Sequence, residues 1–286
     1  MINKIKLYLS MIKFSHSIFA LPFAFTSALL SAQGLPNLRQ IFFITLAMVS
    51  ARSFAMGLNR IIDKDIDAIN PRTKDRELPL GKIRTLEAMI FVVFSLIVFL
   101  FSAYALNDLC LKLSPIAIIF LIVYSYTKRF TWFCHIVLGI CISAAPLGAW
   151  IAIRGGIDLE ILPLVFAVVF WLAGFDILYA LQDMEFDRKS GLFSIPARFG
   201  IRTSIYLSRT FHLLTFSLLV VTGLLFSLKN FFWLGMVIAA GLLVYEHRLV
   251  KEDDLSKLDF AFFNMNGYIS IAVFVATSFD LFIQSL

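Results

Sequence analysis

Asn59-Arg60-Ile61-Ile62-Asp63-Lys64-Asp65-Ile66-Asp67 follows a long apolar run and opens the most charged part of the chain. Asn59, Asp63 and Asp67 stand at i, i+4 and i+8, so a helix puts them on one face with a drift of ~40° per step. Arg52, seven residues before Asn59, extends that stripe two turns into the apolar run. A second set repeats the geometry. Asp183 and Asp187 are i, i+4, and Asp176 lies seven before Asp183, with an acid now in the deep position. Asp65 and Glu185 fall off both stripes and are expected in solvent.

Carboxylate and amide oxygens in this pattern suit Mg²⁺, which binds through one or two carboxylates plus substrate phosphates. Two such clusters facing each other can hold two ions, which clamp a diphosphate and take up the charge of a leaving group. Arg72, Lys74 and Arg76 follow the first cluster, and Lys128 and Arg129 occupy another polar break. Arginine can grip phosphate oxygens bidentately, and lysine supplies a point charge. A plainer reading makes each acid a charged helix end meeting water or a neighbouring arginine. Two clusters of like geometry, each with a deeper polar residue on its stripe, argue against it. Asp176 in particular needs a partner, since an Asp at a membrane helix centre costs ~2.5–3.5 kcal/mol on insertion scales.

The elements that must position these groups are membrane helices. The 286 residues are 60% hydrophobic and 15% charged, with 31 Phe, far more apolar than a soluble domain. Apolar runs fall at about 14–33, 39–58, 86–106, 110–127, 132–153, 160–181, 204–226, 230–247 and 259–283, which gives nine spans in one domain over 1–286. The first run follows Lys4, Lys6 and Lys13 and ends at Ser31-Ala32-Gln33, like a signal peptide. No secreted-type domain follows, so it is read as a retained first helix. Placing the N-terminus inside leaves only Arg39, Lys112, Arg154 and Lys229 outside, with 21 of the 25 basic residues inside. The positive-inside rule therefore gives N-in, C-out, and puts both acidic clusters on the cytoplasmic side. This bias accounts for the +6 net charge without nucleic acid. Cys110, Cys134 and Cys141 show no CxxC and read as apolar packing residues. The four histidines are scattered without zinc-ligand spacing.

Asn59-x-x-x-Asp63-x-x-x-Asp67 and Asp183-x-x-x-Asp187 resemble the two aspartate-rich motifs of the UbiA family of intramembrane aromatic prenyltransferases. Pro71-Arg72-Thr73, Arg76-x-Leu78-Pro79-x-Gly81 and Tyr124-x-x-x-Lys128-Arg129-x-Thr131 resemble further stretches of that family, and the likeness covers nearly the whole chain. The first motif departs from many members, which carry Asn-Asp where this chain has Asn59-Arg60. The resemblance implies an all-α bundle around a central cavity open to the lipid. It implies two Mg²⁺ ions bridging a polyprenyl diphosphate to Asn59, Asp63, Asp67, Asp183 and Asp187, as ligands or their close supports. Arg52, Arg72 and Lys128 would then contact the diphosphate, and Tyr124 and Asp176 would lie near an aromatic acid acceptor. Asn70-Pro71-Arg72-Thr73 and Phe175 through Asp183 are similar to a bacterial subgroup labelled 4-hydroxybenzoate polyprenyltransferases, some of which are thought to prenylate a dihydroxynaphthoate for menaquinone. The implied setting is the bacterial inner membrane, with the site opening to the cytoplasm. From another class, an ion-coupled transporter would also place acids in membrane helices, but nearer the midplane and on broken helices.

Overall fold

The computed structural model describes residues 2–13 and 17–284, and every regular element among them is helical. In chain order these are α1 (Ile2–Met11), α2 (Ser17–Ala32), α3 (Leu38–Ile62), α4 (Lys64–Ile69), α5 (Thr85–Leu106), α6 (Asp108–Thr127), α7 (Cys134–Arg154) and α8 (Leu162–Tyr179). There follow α9 (Met184–Lys189), α10 (Ile195–Leu225), α11 (Asn230–Leu249), α12 (Leu258–Phe260) and α13 (Asn266–Gln284). A 3₁₀ turn, Leu159–Ile161, precedes α8, and a second, Ala180–Asp183, follows it. A π-helical turn, Ala261–Met265, joins α12 to α13.

Eight helical runs among the described residues are long and apolar enough to cross a membrane. The ninth expected run, 14–33, coincides with α2, which is apolar but has 16 residues. Positions 14–16 of that run lie outside the described residues. α2 packs against α7 and α13, and buries Phe23, Ala24, Ala28 and Leu30. Its Ser27 Oγ donates to the Pro146 carbonyl of α7 at 2.6 Å.

The expected and observed boundaries differ most at α10. The apolar run starts near 204, yet the helix starts at Ile195, because Ser194 caps it and Pro196 occupies its first turn. Gly200, at φ 81°, sets a kink between that first turn and the long apolar part.

α8 is the buried centre of the bundle. Leu164, Val168, Trp171 and Ile177 on it are fully buried. Its closest partners are α7 and α10. A Cβ on Gly139 of α7 would collide with the Val169 carbonyl of α8. Such close backbone approach is how membrane helices pack without a hydrophobic driving force between them. The outward faces carry Phe42, Phe94, Ile97, Phe101, Ile119 and Leu213, all exposed and apolar, as a lipid contact requires. At the far end of the bundle from the acids, the buried Asp280 of α13 accepts the backbone N–H groups of Lys229, at 2.6 Å, and Phe231, at 3.1 Å, which ties α13 to the start of α11.

Candidate active site

α3 ends where the first cluster begins. Asp63 is its C-cap residue, with ψ near 8°, and α4 starts at Lys64. The i, i+4 spacing does bring Asn59 and Asp63 together, since Asn59 Nδ2 donates to Asp63 Oδ2 at 2.9 Å. The break at Asp63 then separates Asp67 from that pair. Asp67 is buried and takes two bonds from Arg76 Nη1, at 2.6 and 2.7 Å, with Arg60 Nη1 3.9 Å away. The single stripe expected from the spacing is therefore divided. A buried carboxylate requires a charge partner, and here two guanidinium groups supply it.

The loop after α4 reaches across to the second cluster. The Asn70 side chain accepts the Arg72 N–H at 2.9 Å, which shapes the turn, and its Nδ2 donates to Asp183 Oδ1 at 3.1 Å. Arg72 grips the same carboxylate through Nε, at 2.8 Å to Oδ1, and through Nη2 to Oδ2. Its remaining nitrogen, Nη1, donates to the Tyr179 hydroxyl at 3.0 Å. This charge-assisted fork ties the loop after the first aspartate motif to the second motif, between residues 111 positions apart in the chain. It also holds the Arg72 guanidinium firmly protonated, against the effect of burial.

Asp176, Asp183 and Asp187 do not share one continuous α-helical face. The 3₁₀ turn Ala180–Asp183 turns the chain by about 120° per residue where an α-helix turns by about 100°. Asp183 accordingly meets Arg72, and Asp176 instead meets His135 of α7, with Nδ1 to Oδ2 at 2.7 Å. Asp187 is buried, and its Oδ2 has no hydrogen-bond partner.

The break between α6 and α7 delivers one cation to each cluster. Arg129 Nη2 donates to the Ile62 carbonyl at 2.8 Å, at the end of α3, and reaches Asp63 Oδ1 at 3.2 Å. Burial pushes the Asp63 carboxyl up, and the bond from Arg129 opposes this. Lys128 faces the other way. Burial acts to lower its ammonium, but Asp187, with Asp176 and Asp183, holds it above the ordinary lysine value.

Deeper in, Arg52 Nη2 donates to the Lys13 carbonyl at 3.3 Å, and its Nε is buried without a partner. Tyr124 stands within electrostatic reach of Arg52, Asp176 and Asp63. The site residues read from the sequence are thus brought to one end of the bundle. Four others belong there too. Asn70 had an Asn-Pro turn signal. Arg76 stood among the basic residues after the first cluster, and Arg60 beside Asn59, but neither showed in the sequence that it pairs with Asp67. Arg60 is 5% exposed, and its Nε donates to the Met11 carbonyl at the end of α1, at 3.1 Å. His135 carried no signal, since its partner lies 41 residues away.

The donor set fits Mg²⁺ in kind. It consists of hard oxygen ligands in two groups, one of them the orphaned buried oxygen of Asp187. Among the described residues, no three acidic, His or Cys side chains converge on one point. Arginines instead hold Asp63, Asp67 and Asp183. Protein cations thus neutralise the carboxylates that hard cations would engage. A cavity of about 560 Å³, lined by Leu29, Leu35, Phe274, Phe279 and Phe282, lies between α2 and α13 at the other end of the bundle, remote from this chemistry.

A sequence model described as the UbiA prenyltransferase family matches residues 20–268. A 4-hydroxybenzoate octaprenyltransferase of Vibrio cholerae is 32% identical over 245 residues, covering 86% of each chain. One of Marinobacter nauticus is 32% identical over 255 residues, covering 88% of this chain and 85% of its own. Among solved structures, the apo form of a UbiA homolog from Aeropyrum pernix superposes with a TM-score of 0.81 at 29% identity, covering 95% of this chain and 98% of that one. A UbiA homolog from Archaeoglobus fulgidus, solved bound to DMAPP and Mg²⁺, shares the fold with a TM-score of 0.72 at 22% identity, covering 98% of this chain and 99% of that one.

Proposed function

The chain belongs to the UbiA prenyltransferase family, and from that premise we propose that it transfers a polyprenyl group from its diphosphate to an aromatic acid of the 4-hydroxybenzoate type, in respiratory quinone synthesis, releasing diphosphate. The observation that carries this reading is the Arg72 fork on Asp183, which unites the two acidic clusters in one site. The relatives named 4-hydroxybenzoate octaprenyltransferase support the acceptor class.

In this reading residues 1–286 form one membrane domain of nine spans, N-in and C-out, in a bacterial inner membrane, with the site open to the cytoplasm. Asn59, Asp63, Asp183 and Asp187 would hold the metal, and Asp67, locked by Arg76 and Arg60, would support them. Two bound Mg²⁺ ions would supply Lewis-acid stabilisation of the leaving group's charge. Arg72 and Lys128 hold the diphosphate, with Arg52, whose Nε is buried without a partner, as a further cation for an anionic group deeper in the site. As these cations draw charge onto the diphosphate, the C1–O bond lengthens and the prenyl carbon becomes cationic. Aromatic faces stabilise that cation while apolar walls keep water out. The acceptor ring attacks C1, with Tyr124 and Asp176 beside its hydroxyl.

Purified protein given a polyprenyl diphosphate, Mg²⁺ and 4-hydroxybenzoate is expected to yield the prenylated acid by mass analysis. Parallel incubation with dihydroxynaphthoates tests the acceptor. Product from those alone moves the assignment to menaquinone synthesis, and no prenylated product from any of them overturns the reading.

A further inference from the structure

His135 has no part in the acidic clamp, yet it is wholly buried at the start of α7, with a hydrogen-bond partner at each ring nitrogen and the Cys134 thiol beside it. The Ile195 backbone N–H, in the first turn of α10, meets its Nε2 at 3.3 Å. A backbone amide can only donate, so Nε2 must offer its lone pair. The imidazole proton then resides on Nδ1, which faces Asp176 Oδ2 at 2.7 Å. That bond leaves Asp176 Oδ2 as an acceptor. Asp176 keeps about a fifth of its side-chain surface open, 20% against 0% for His135, and its Oδ1 has no protein partner among the described residues. The groups around the pair are Lys128, Tyr124, Cys134 and Asp187.

We propose that His135 is a positioning residue for the acceptor, a neutral imidazole whose Nδ1–H fixes Asp176 in one orientation, as a carboxylate whose Oδ1 takes the proton of the acceptor's phenolic hydroxyl. The inference rests on the transfer reaction proposed above and assigns the fate of its protons. As the ring carbon bonds to the prenyl C1, the C1–O electron pair leaves with the diphosphate. Asp176 Oδ1 removes the hydroxyl proton, which leaves a neutral dienone rather than a ring cation. The proton on the newly bonded ring carbon passes to the departing diphosphate, and Asp176 returns its proton to the oxygen. Asp176 ends as the carboxylate it was, and the ring is aromatic again. The orientation matters because a carboxylate free to rotate spends part of its time with neither oxygen in line with the hydroxyl.

This division of labour has a kinetic signature. His135→Leu removes the N–H, and is expected to lower kcat with the acceptor by about 10²-fold, the low end for a general base. The KM for the prenyl diphosphate should stay unchanged, because the clamp is separate. His135→Asn restores a neutral N–H donor near the position of Nδ1, and should recover kcat to within about 10-fold of wild type. Asp176→Asn should lose as much as His135→Leu, and adding His135→Leu to it should cost nothing further, since His135 acts through Asp176. Wild-type rates in His135→Leu would overturn the proposal. So would His135→Asn as slow as His135→Leu, which would point to imidazole proton transfer, or a raised KM for the prenyl diphosphate in His135→Asn. The near-isosteric His135→Asn and Asp176→Asn keep the test decisive should the leucine variant fail to fold. Failure of the underlying reaction looks different, because wild-type protein itself would then give no prenylated aromatic acid.

Discussion

Asp183→Ala is expected to lower prenyl transfer by about 10²–10³-fold, the loss typical of removing one preorganised group that stabilises developing charge. Asp183 receives Asn70 and both arms of the Arg72 fork, so its removal does more than delete one oxygen ligand. It frees the arginine that would face the diphosphate and unties the loop that links the clusters. The stability cost should be about 2–3 kcal/mol. That is below the roughly 3–5 expected for breaking a fully buried pair, because the Arg72 side chain keeps 29% of its surface exposed. Thermal unfolding in detergent measures the stability part. Asp183→Asn separates the two effects, since it retains an oxygen for the loop and loses the charge that Mg²⁺ requires. Asn should therefore recover most of the lost stability and little of the rate.

Arg72→Lys should raise the KM for the prenyl diphosphate by about 10–100-fold, which corresponds to the loss of one charge-assisted hydrogen bond of about 1.5–3 kcal/mol. Lysine keeps the charge and loses the fork. It cannot hold Asp183 through two nitrogens and reach Tyr179 with a third, as Arg72 does. The KM for the aromatic acceptor should move little, because Tyr124 and Asp176 lie apart from the fork. Steady-state kinetics with each substrate varied in turn reads both. A rise confined to the acceptor KM would take Arg72 out of the diphosphate site. A double-mutant cycle of Arg72→Lys with Asp183→Asn should show coupling, since the two side chains are in direct contact.

Most of the fold was legible, because each apolar run is long and the charges at its ends are strongly biased. The i, i+4 rule correctly joined Asn59 to Asp63. It failed where the backbone left the α-helix. The cap at Asp63 sent Asp67 toward Arg76, and the 3₁₀ turn at Ala180–Asp183 parted Asp176 from Asp183. No periodicity announces a single tight turn inside an apolar run. The contacts that complete the site, Arg72 with Asp183 and His135 with Asp176, span 111 and 41 positions. They come from packing α8 between its neighbours, and spacing along one helix carries no information about them. Arg60 is the clearest case. Its place next to Asn59 announces no partner, and only the packing against Asp67 and the end of α1 gives it a role.

The central claim is that two separate acidic clusters act as one Mg²⁺-dependent diphosphate clamp. The most direct measurement is a Mg²⁺ titration of prenyl transfer to 4-hydroxybenzoate by purified wild type, Asp63→Ala and Asp183→Ala, one residue from each cluster. Wild type should give no product without the metal and saturable activation as it is added, and both variants should show near-complete loss at any Mg²⁺ concentration. Wild-type activity that survives chelation, or near-wild-type activity in either variant, would contradict the claim.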